Sequence, residues 1–304
     1  MVLNFFEFEK ELEKLKIKYE KNVCMKNHTT FKIGGNADYL VEISSKEELK
    51  KVIDLANKSK IPFMVLGKGS NLLVSDLGIE GVVISLSKLD NITVLEDEIV
   101  AEAGANLSAL CVKAMENELE GLEFGFGIPG SVGGALYMNA GAYGGEMSQV
   151  VLSAEYIDFD GNFGEISIND MQLGYRTSIF KTGEKIITSV KFKLKKGEKA
   201  KIKETMSDLL NRRKEKQPLE FPSAGSTFKR PTGYFAGALI EECNLKGYSC
   251  GGAKVSEKHA GFVINYDNAS CSDVLKLVEE IKAKVKNEKN VELEPEIIFI
   301  GRKQ

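Results

Sequence analysis

Apolar residues recur at helical spacing at the start of the chain. Phe5, Phe8, Leu12 and Leu15 stand between charged positions and predict an amphipathic helix over residues 5–19. Residues 38–43 read as a strand. Ser45 and Glu48 have the spacing of a capping box, opening a helix with Leu49, Val52, Ile53 and Ala56 on one face and an end near Pro62. A short apolar run, 63–66, then leads straight into Gly67-Lys68-Gly69-Ser70-Asn71, and a second run follows at 72–74. Short strands with polar breaks are predicted over 81–100, a helix over 107–117, and strands over 150–159 and 186–194 with a turn at Asp160-Gly161. A lysine-rich stretch around Gly197 leads into a helix ending at Arg212-Arg213-Lys214-Glu215-Lys216, read as a solvated face. Beyond it come a helical patch at 236–243, a strand at 260–265, a helix over 272–287 with Val274, Leu277, Val278, Ile281 and Val285 on one face, and a strand over 291–300. Helices and strands mix without strict alternation, which predicts an α+β fold with a domain boundary near Gly197.

Composition narrows the possible partners. The chain has 304 residues, 43% hydrophobic and 28% charged, with a formal net charge of −3, so neither nucleic acid nor an anionic membrane is predicted as a partner. No apolar run approaches the roughly 20 residues of a membrane span. Residues 1–10 are too acidic, and their apolar stretch too short, for a secretory signal. The five cysteines, Cys24, Cys111, Cys243, Cys250 and Cys271, form no Cys-x-x-Cys pair and read as reduced, mostly buried thiols of a cytoplasmic protein. With His28 and His259 the only histidines, no metal site is predicted, and no Gly-x-Ser-x-Gly elbow is present.

Glycine is the unusual entry in the composition, at 29 residues. The 67–71 loop follows a strand, where main-chain N–H groups can converge on a phosphate. It fails the dinucleotide fingerprint because Leu72 occupies the third glycine position, and it fails the Walker pattern because Gly69 follows Lys68; alone it is either a turn or an anion site. Glycine is densest over 121–145, where Ile128-Pro129-Gly130-Ser131-Val132-Gly133-Gly134-Ala135 and Asn139-Ala140-Gly141-Ala142-Tyr143-Gly144 flank Leu136-Tyr137-Met138. A loose hairpin is the plain reading. Two such segments in one chain favour a diphosphate cradle.

These segments carry a resemblance. The strand followed by Gly-x-Gly-Ser-Asn, with Ile-Pro-Gly-Ser-x-Gly-Gly, resembles the FAD-binding domain of the para-cresol methylhydroxylase and vanillyl-alcohol oxidase superfamily. Gly174-Tyr175-Arg176-Thr177-Ser178-Ile179-Phe180, Ala224-Gly225-Ser226-Thr227-Phe228-Lys229 and Leu293-Glu294-Pro295-Glu296 are similar to signature segments of the UDP-N-acetylenolpyruvoylglucosamine reductase (MurB) family, and the likeness runs from about Asn27 to Gly301. Only residues 181–185 separate the Tyr175-Arg176 segment from the next strand, so the chain resembles the family's second type, without the tyrosine-bearing insertion.

The resemblance implies an FAD-binding domain over 1–196, with lobes of about 1–80 and 81–196, and a substrate-binding domain over 197–304 whose C-terminal strand returns toward the active site. It implies non-covalent FAD and NADPH as cofactors, a UDP-linked enolpyruvyl amino sugar as substrate, and a monomeric cytoplasmic enzyme of peptidoglycan precursor synthesis. Gly67, Lys68, Gly69, Ser70, Asn71, Ile128, Pro129, Gly130, Ser131, Gly133, Gly134, Ala140 and Gly141 would hold FAD. Hydride addition to the enolpyruvyl group leaves negative charge that Arg176 would stabilise, while Ser226 would supply a proton. Glu296 shares the stabilising role by resemblance, which makes sense if it is protonated or positioned by Arg176. Tyr175, Lys216, Lys229 and His259 are implied for substrate, His259 reading more simply as a pocket-lining residue. Ile298 stands where many members carry arginine, and Arg230 where some carry asparagine. The alternatives are a flavin oxidoreductase of the same superfamily with another substrate, and a non-catalytic sugar-nucleotide or phosphate-binding protein.

Overall fold

The apolar stripe of the first helix lasts for less of the chain than its spacing predicts. In the computed structural model, which describes residues 5–303, α1 (Phe5–Lys14) buries Phe8 and Leu12 and stops. Lys16 takes a left-handed φ of +57°, and the Ile17 N–H closes back on the Leu12 carbonyl, a geometry that ends helices. The chain then becomes a strand, Tyr19–Cys24, correcting the expected helix end at residue 19. The signal-peptide reading falls partly on residues 1–4, which lie outside the described residues.

The chain forms two units. The first comprises Met1–Lys21, Tyr39–Lys68 and Gly81–Arg212; the second comprises Asn22–Asp38, Gly69–Glu80 and Arg213–Gln304. This differs from a single cut near Gly197. The second unit takes in two N-terminal segments because Leu72–Val74 pairs in parallel with Ile298–Ile300, while Phe31 and Ile33 of Asn22–Asp38 join its core, associations that local composition cannot reveal. Only these last three residues of the expected 291–300 strand are a strand; before them Pro295 makes an isolated bridge with Phe228.

In the first unit, α2 (Lys46–Ser59) starts where Ser45 accepts the Glu48 N–H at 3.1 Å. The Glu48 carboxylate accepts the Ser44 N–H, one residue before the position expected of a capping box. Four strands lie in the order Tyr19–Cys24, Asn36–Glu42, Ile79–Ser85, Phe63–Leu66, the last two parallel. An antiparallel five-stranded sheet runs Phe163–Ser167, Val151–Asp158, Lys185–Lys193, Glu98–Glu102, Ile92–Leu95. With α3 (Leu107–Glu116) and α4 (Val132–Tyr137), these elements share one apolar core that includes Val52, Ile53, Ile84, Ala101, Leu110, Val132, Leu136, Val190 and Phe192. The two expected lobes therefore meet in a common core.

α5 (Lys199–Lys216) belongs to the first unit as far as Arg212, with Ile202 and Met206 in that core; in the second unit, α6 (Ala236–Glu242) and α7 (Cys271–Lys289) accompany a three-stranded sheet, Ser249–Cys250, Ala253–Val255, Val263–Asn265. Its core holds Phe31, Ile33, Leu73, Leu239, Ile240, Val274, Leu277 and Ile281. α7 carries a capping box between Ser270 and Asp273, and the Asp76 carboxylate accepts the Cys271 and Ser272 N–H groups at 2.7 and 3.0 Å. All five cysteines are free thiols; Cys111, Cys243 and Cys271 are buried, and burial pushes Cys111 and Cys271 up to about 12. No described helix is long and apolar enough to cross a membrane.

Candidate functional site

The first glycine segment continues from the Phe63–Leu66 strand. Among the described residues, nothing accepts the main-chain N–H groups of Gly67, Lys68, Gly69 or Ser70. Gly67 lies so close to Ser131 that an added Cβ would collide with the serine hydroxyl. The glycine therefore lets this loop reach the start of α4. Asn71 ends the segment differently: its Nδ2 donates to the Glu296 carbonyl at 3.1 Å, and its own carbonyl accepts the Ile298 N–H at 2.9 Å.

The second glycine segment is a helix where the plain reading expected a hairpin. Ser131 caps α4 by accepting the Gly134 N–H, and Val132 and Leu136 bury one face. Val132 and Gly133 donate N–H to the carbonyls of Ala105 and Ala103, both at 2.9 Å. The amides of Val132, Gly133 and Gly134 are thus used by the protein, which leaves those of Gly130 and Ser131 without an acceptor among the described residues. Ile128 and the exposed Pro129 form the entry to this turn. Past the helix, the Ala140 carbonyl accepts the Met147 N–H, and Gly141–Ala142 pairs with Gly145–Glu146 in a tight hairpin. Uncommitted N–H donors at the ends of two glycine segments suit a diphosphate, so these residues fit a dinucleotide cofactor.

Arg176 and Tyr175 form the corner of a turn in the first unit, closed by reciprocal main-chain hydrogen bonds between Gly174 and Thr177. The Arg176 guanidinium carbon lies 5.5 Å from the exposed Tyr175 ring centre. The Ser178 hydroxyl donates to the Tyr137 carbonyl at 2.7 Å, tying this turn to the end of α4.

In the second unit, Thr227 connects several candidates. It is buried; its N–H donates to the Gly261 carbonyl, its carbonyl accepts the Glu296 N–H, and its hydroxyl accepts the Val263 N–H, all at 2.8 Å. Lys229 continues the pairing by donating its N–H to the Glu294 carbonyl and forms an ion pair with the Glu294 carboxylate. Ser226, Glu296, Lys229 and the 256–261 loop with His259 are thereby neighbours. Ser226 itself is half-buried, and among the described residues its hydroxyl has no hydrogen-bond partner. His259 Nδ1 accepts the Gly261 N–H at 3.1 Å, the ring meets Phe262 edge-on, and burial holds the imidazole below its ordinary pKa. Lys216 ends α5; Lys258 Nζ donates to the Lys214 carbonyl at 2.7 Å, bringing that last turn beside the His259 loop.

At the two departures from the family pattern, Ile298 is half-buried in the strand opposite Leu72, and Arg230 covers the exposed Phe235 ring at 3.9 Å. Asn139, Thr227 and Ser178, which position the candidates through main-chain groups, escaped sequence reasoning; all three lie inside flagged segments, and burial, their distinguishing property, is tertiary. No group of three or more His, Cys, Asp or Glu side chains among the described residues could hold a metal ion.

A family model described as an FAD binding domain matches residues 37–167, spanning both glycine segments. Another, the C-terminal domain of UDP-N-acetylenolpyruvoylglucosamine reductase, matches 217–300, which contains Ser226, Lys229, His259 and Glu296. A protein of that name from Caldanaerobacter subterraneus subsp. tengcongensis is 53% identical over 282 residues, 93% of each chain. The Clostridium novyi protein of the same name is 49% identical over 297 residues, 97% of each chain. The crystal structure of UDP-N-acetylenolpyruvylglucosamine reductase (MurB) from Thermus caldophilus superimposes with a TM-score of 0.79 at 36% identity, covering 93% of this chain and 98% of that one. Likeness of this extent, reaching across both glycine segments and the Ser226–Glu296 neighbourhood alike, makes the chain a member of the UDP-N-acetylenolpyruvoylglucosamine reductase family, an FAD-dependent oxidoreductase.

Proposed function

We propose that this protein reduces UDP-N-acetylglucosamine enolpyruvate to UDP-N-acetylmuramate with electrons from NADPH, as a monomeric cytoplasmic enzyme of peptidoglycan precursor synthesis. The chemistry that FAD supplies when bound is two-electron transfer, taken from NADPH and passed as hydride to the enolpyruvyl double bond. The N–H groups of residues 67–70, Gly130 and Ser131 would hold its diphosphate. Asn71, Ile128, Pro129, Gly133, Gly134, Ala140 and Gly141 complete the surroundings of that group as structural or lining positions. Arg176 meets, with its guanidinium, the negative charge that spreads from the α-carbon into the substrate carboxylate. Glu296 shares that role. Ser226 gives its hydroxyl proton to the α-carbon. Tyr175, Lys216, Lys229 and His259 contact the UDP-sugar; Lys216 suits the diphosphate as a cation at the end of a helix.

The observation that carries this reading is the Ser226 hydroxyl, next to Thr227 whose carbonyl accepts the Glu296 N–H, and engaged by nothing among the described residues. The test separates the two half-reactions. With Ser226→Ala, NADPH should bleach the flavin absorbance at a near-normal rate, while anaerobic reoxidation by the enolpyruvyl substrate slows by about 10²–10⁴-fold, the range for a positioned acid. Equal slowing of both halves removes Ser226 as the proton donor. A purified protein that binds no flavin removes the whole reading.

A further inference from the structure

Asn139 is a buried polar residue at the end of α4, 2% exposed, with a left-handed φ of +42°. Its Nδ2 donates to the Gly174 carbonyl at 3.1 Å, and its Oδ1 accepts the Ser148 N–H at 2.9 Å. One side chain thus joins the end of α4, the Met147–Gln149 turn and the first residue of the turn that bears Tyr175 and Arg176. Arg176 has a left-handed φ of +54°, a conformation disfavoured for a residue with a Cβ, and it persists only where the surroundings over-determine it. The surroundings do so here. Lys181 Nζ donates to the Arg176 carbonyl at 2.9 Å, and the buried Ser178 hydroxyl to the Tyr137 carbonyl at 2.7 Å.

We infer that Asn139 is a positioning residue for the half of the reaction in which the enolpyruvyl substrate reoxidises the flavin: it clamps the 174–177 turn onto the end of α4, so the Arg176 guanidinium takes its orientation from the helix whose other end offers the Gly130 and Ser131 amides. This rests on the reading of Arg176 as the charge-stabilising group. The choice of asparagine follows from the two bonds, since one donor and one acceptor are required of a short side chain. Aspartate keeps the acceptor for Ser148 but sets a second acceptor against the Gly174 carbonyl. Glycine removes both bonds yet adopts the same φ without strain.

The flavin-loaded protein with Asn139→Asp or Asn139→Gly tests the clamp. Flavin content and reduction by NADPH should stay within about twofold of the unmodified protein, while reoxidation by the enolpyruvyl substrate slows by about 10- to 100-fold, the penalty for a misplaced group. Trypsin should cut the Arg176–Thr177 bond about tenfold faster, read by mass spectrometry, because a released turn opens more often. Asn139→Asp added to Arg176→Ala should slow reoxidation no further than Arg176→Ala alone. Unchanged cleavage at Arg176–Thr177 in both Asn139 variants overturns the clamp. So does equal slowing of both half-reactions, or a double variant that carries the full Asn139→Asp factor. Arg176→Ala with an unmodified reoxidation rate overturns instead the role of Arg176 on which the inference stands.

Discussion

Gly133→Ala tests whether the close approach of α4 to its neighbouring strand requires a glycine. A Cβ at residue 133 would sit 2.8 Å from the Ala103 Cβ, 3.1 Å from its carbonyl oxygen and 3.3 Å from its Cα. Carbon pairs attract best at about 3.5–4.0 Å, so the methyl groups overlap by most of an ångström. Ala103 cannot yield easily: its N–H donates to the Thr188 carbonyl and its carbonyl accepts the Gly133 N–H, both at 2.9 Å. Overpacking of this kind destabilises by about 1–3 kcal/mol, and losing the Gly133 hydrogen bond adds about 1 kcal/mol. Replacing a helical glycine by alanine returns about 1 kcal/mol of propensity, leaving a net loss of about 2 kcal/mol. That corresponds to a melting point lower by about 4–8 °C in a unit of this size, measured by circular dichroism at a fixed excess of FAD. Adding Ala103→Gly removes the closest clash and should recover about half of the loss, while crowding against the main chain of residue 103 keeps the rest. A Gly133→Ala protein that melts at or above the parent temperature would refute the reasoning, and so would a double variant whose loss is the plain total of its parts.

Two further outcomes follow from single side chains. Thr227→Val keeps the shape but leaves the buried Val263 N–H without its acceptor; urea unfolding should show a loss of about 1–3 kcal/mol, and an unchanged midpoint would mean that Thr227 does not hold this neighbourhood together. Burial depresses the His259 pKa below its ordinary 6.5, so the unfolded chain binds the proton more readily, and this stability is full above pH 6.5 and lost as the pH falls through the depressed folded value. His259→Gln should flatten that part of the stability–pH curve; an identical slope in both proteins excludes the buried imidazole as its source.

The elements that sequence pattern anticipated are those that local spacing specifies. α2 and α7 each present an apolar stripe behind a serine cap, and Phe63–Leu66 is a short apolar run bounded by Pro62 and Gly67. α4 was hidden because two glycines dominate its six residues, although Ser131 as cap and Val132 with Leu136 at helical spacing were already visible. Membership of the second unit was hidden for a different reason. Leu72–Val74 reads locally as the continuation of a strand–helix–strand unit, and only its pairing with Ile298–Ile300 assigns it elsewhere. The two glycine segments could be found because each is a contiguous run of unusual composition, whereas the segments with Arg176, Ser226 and Glu296 stood out only by family resemblance. Their supports could not, since a buried asparagine or threonine is polar in sequence and becomes informative only when its partners are known.

Hydrogen-bond accounting then sorts the atoms within each segment. Ser226 and Thr227 are adjacent hydroxyl residues of similar chemistry; the threonine hydroxyl accepts the Val263 N–H, while the serine hydroxyl is engaged by nothing among the described residues. Gly133 and Gly134 lie in the middle of the glycine segment, yet their amides bond to Ala103 and Ser131, leaving Gly130 and Ser131 as the donors proposed for an anion. Asn71, a candidate for the cofactor by position, gives its amide to the Glu296 carbonyl and so holds the segment that carries a catalytic candidate. In each comparison the motif locates the segment, and internal satisfaction selects the atoms left for a ligand. The near-neutral net charge is consistent with this arrangement, because main-chain donors of this kind bind an anion without adding any formal charge to the chain.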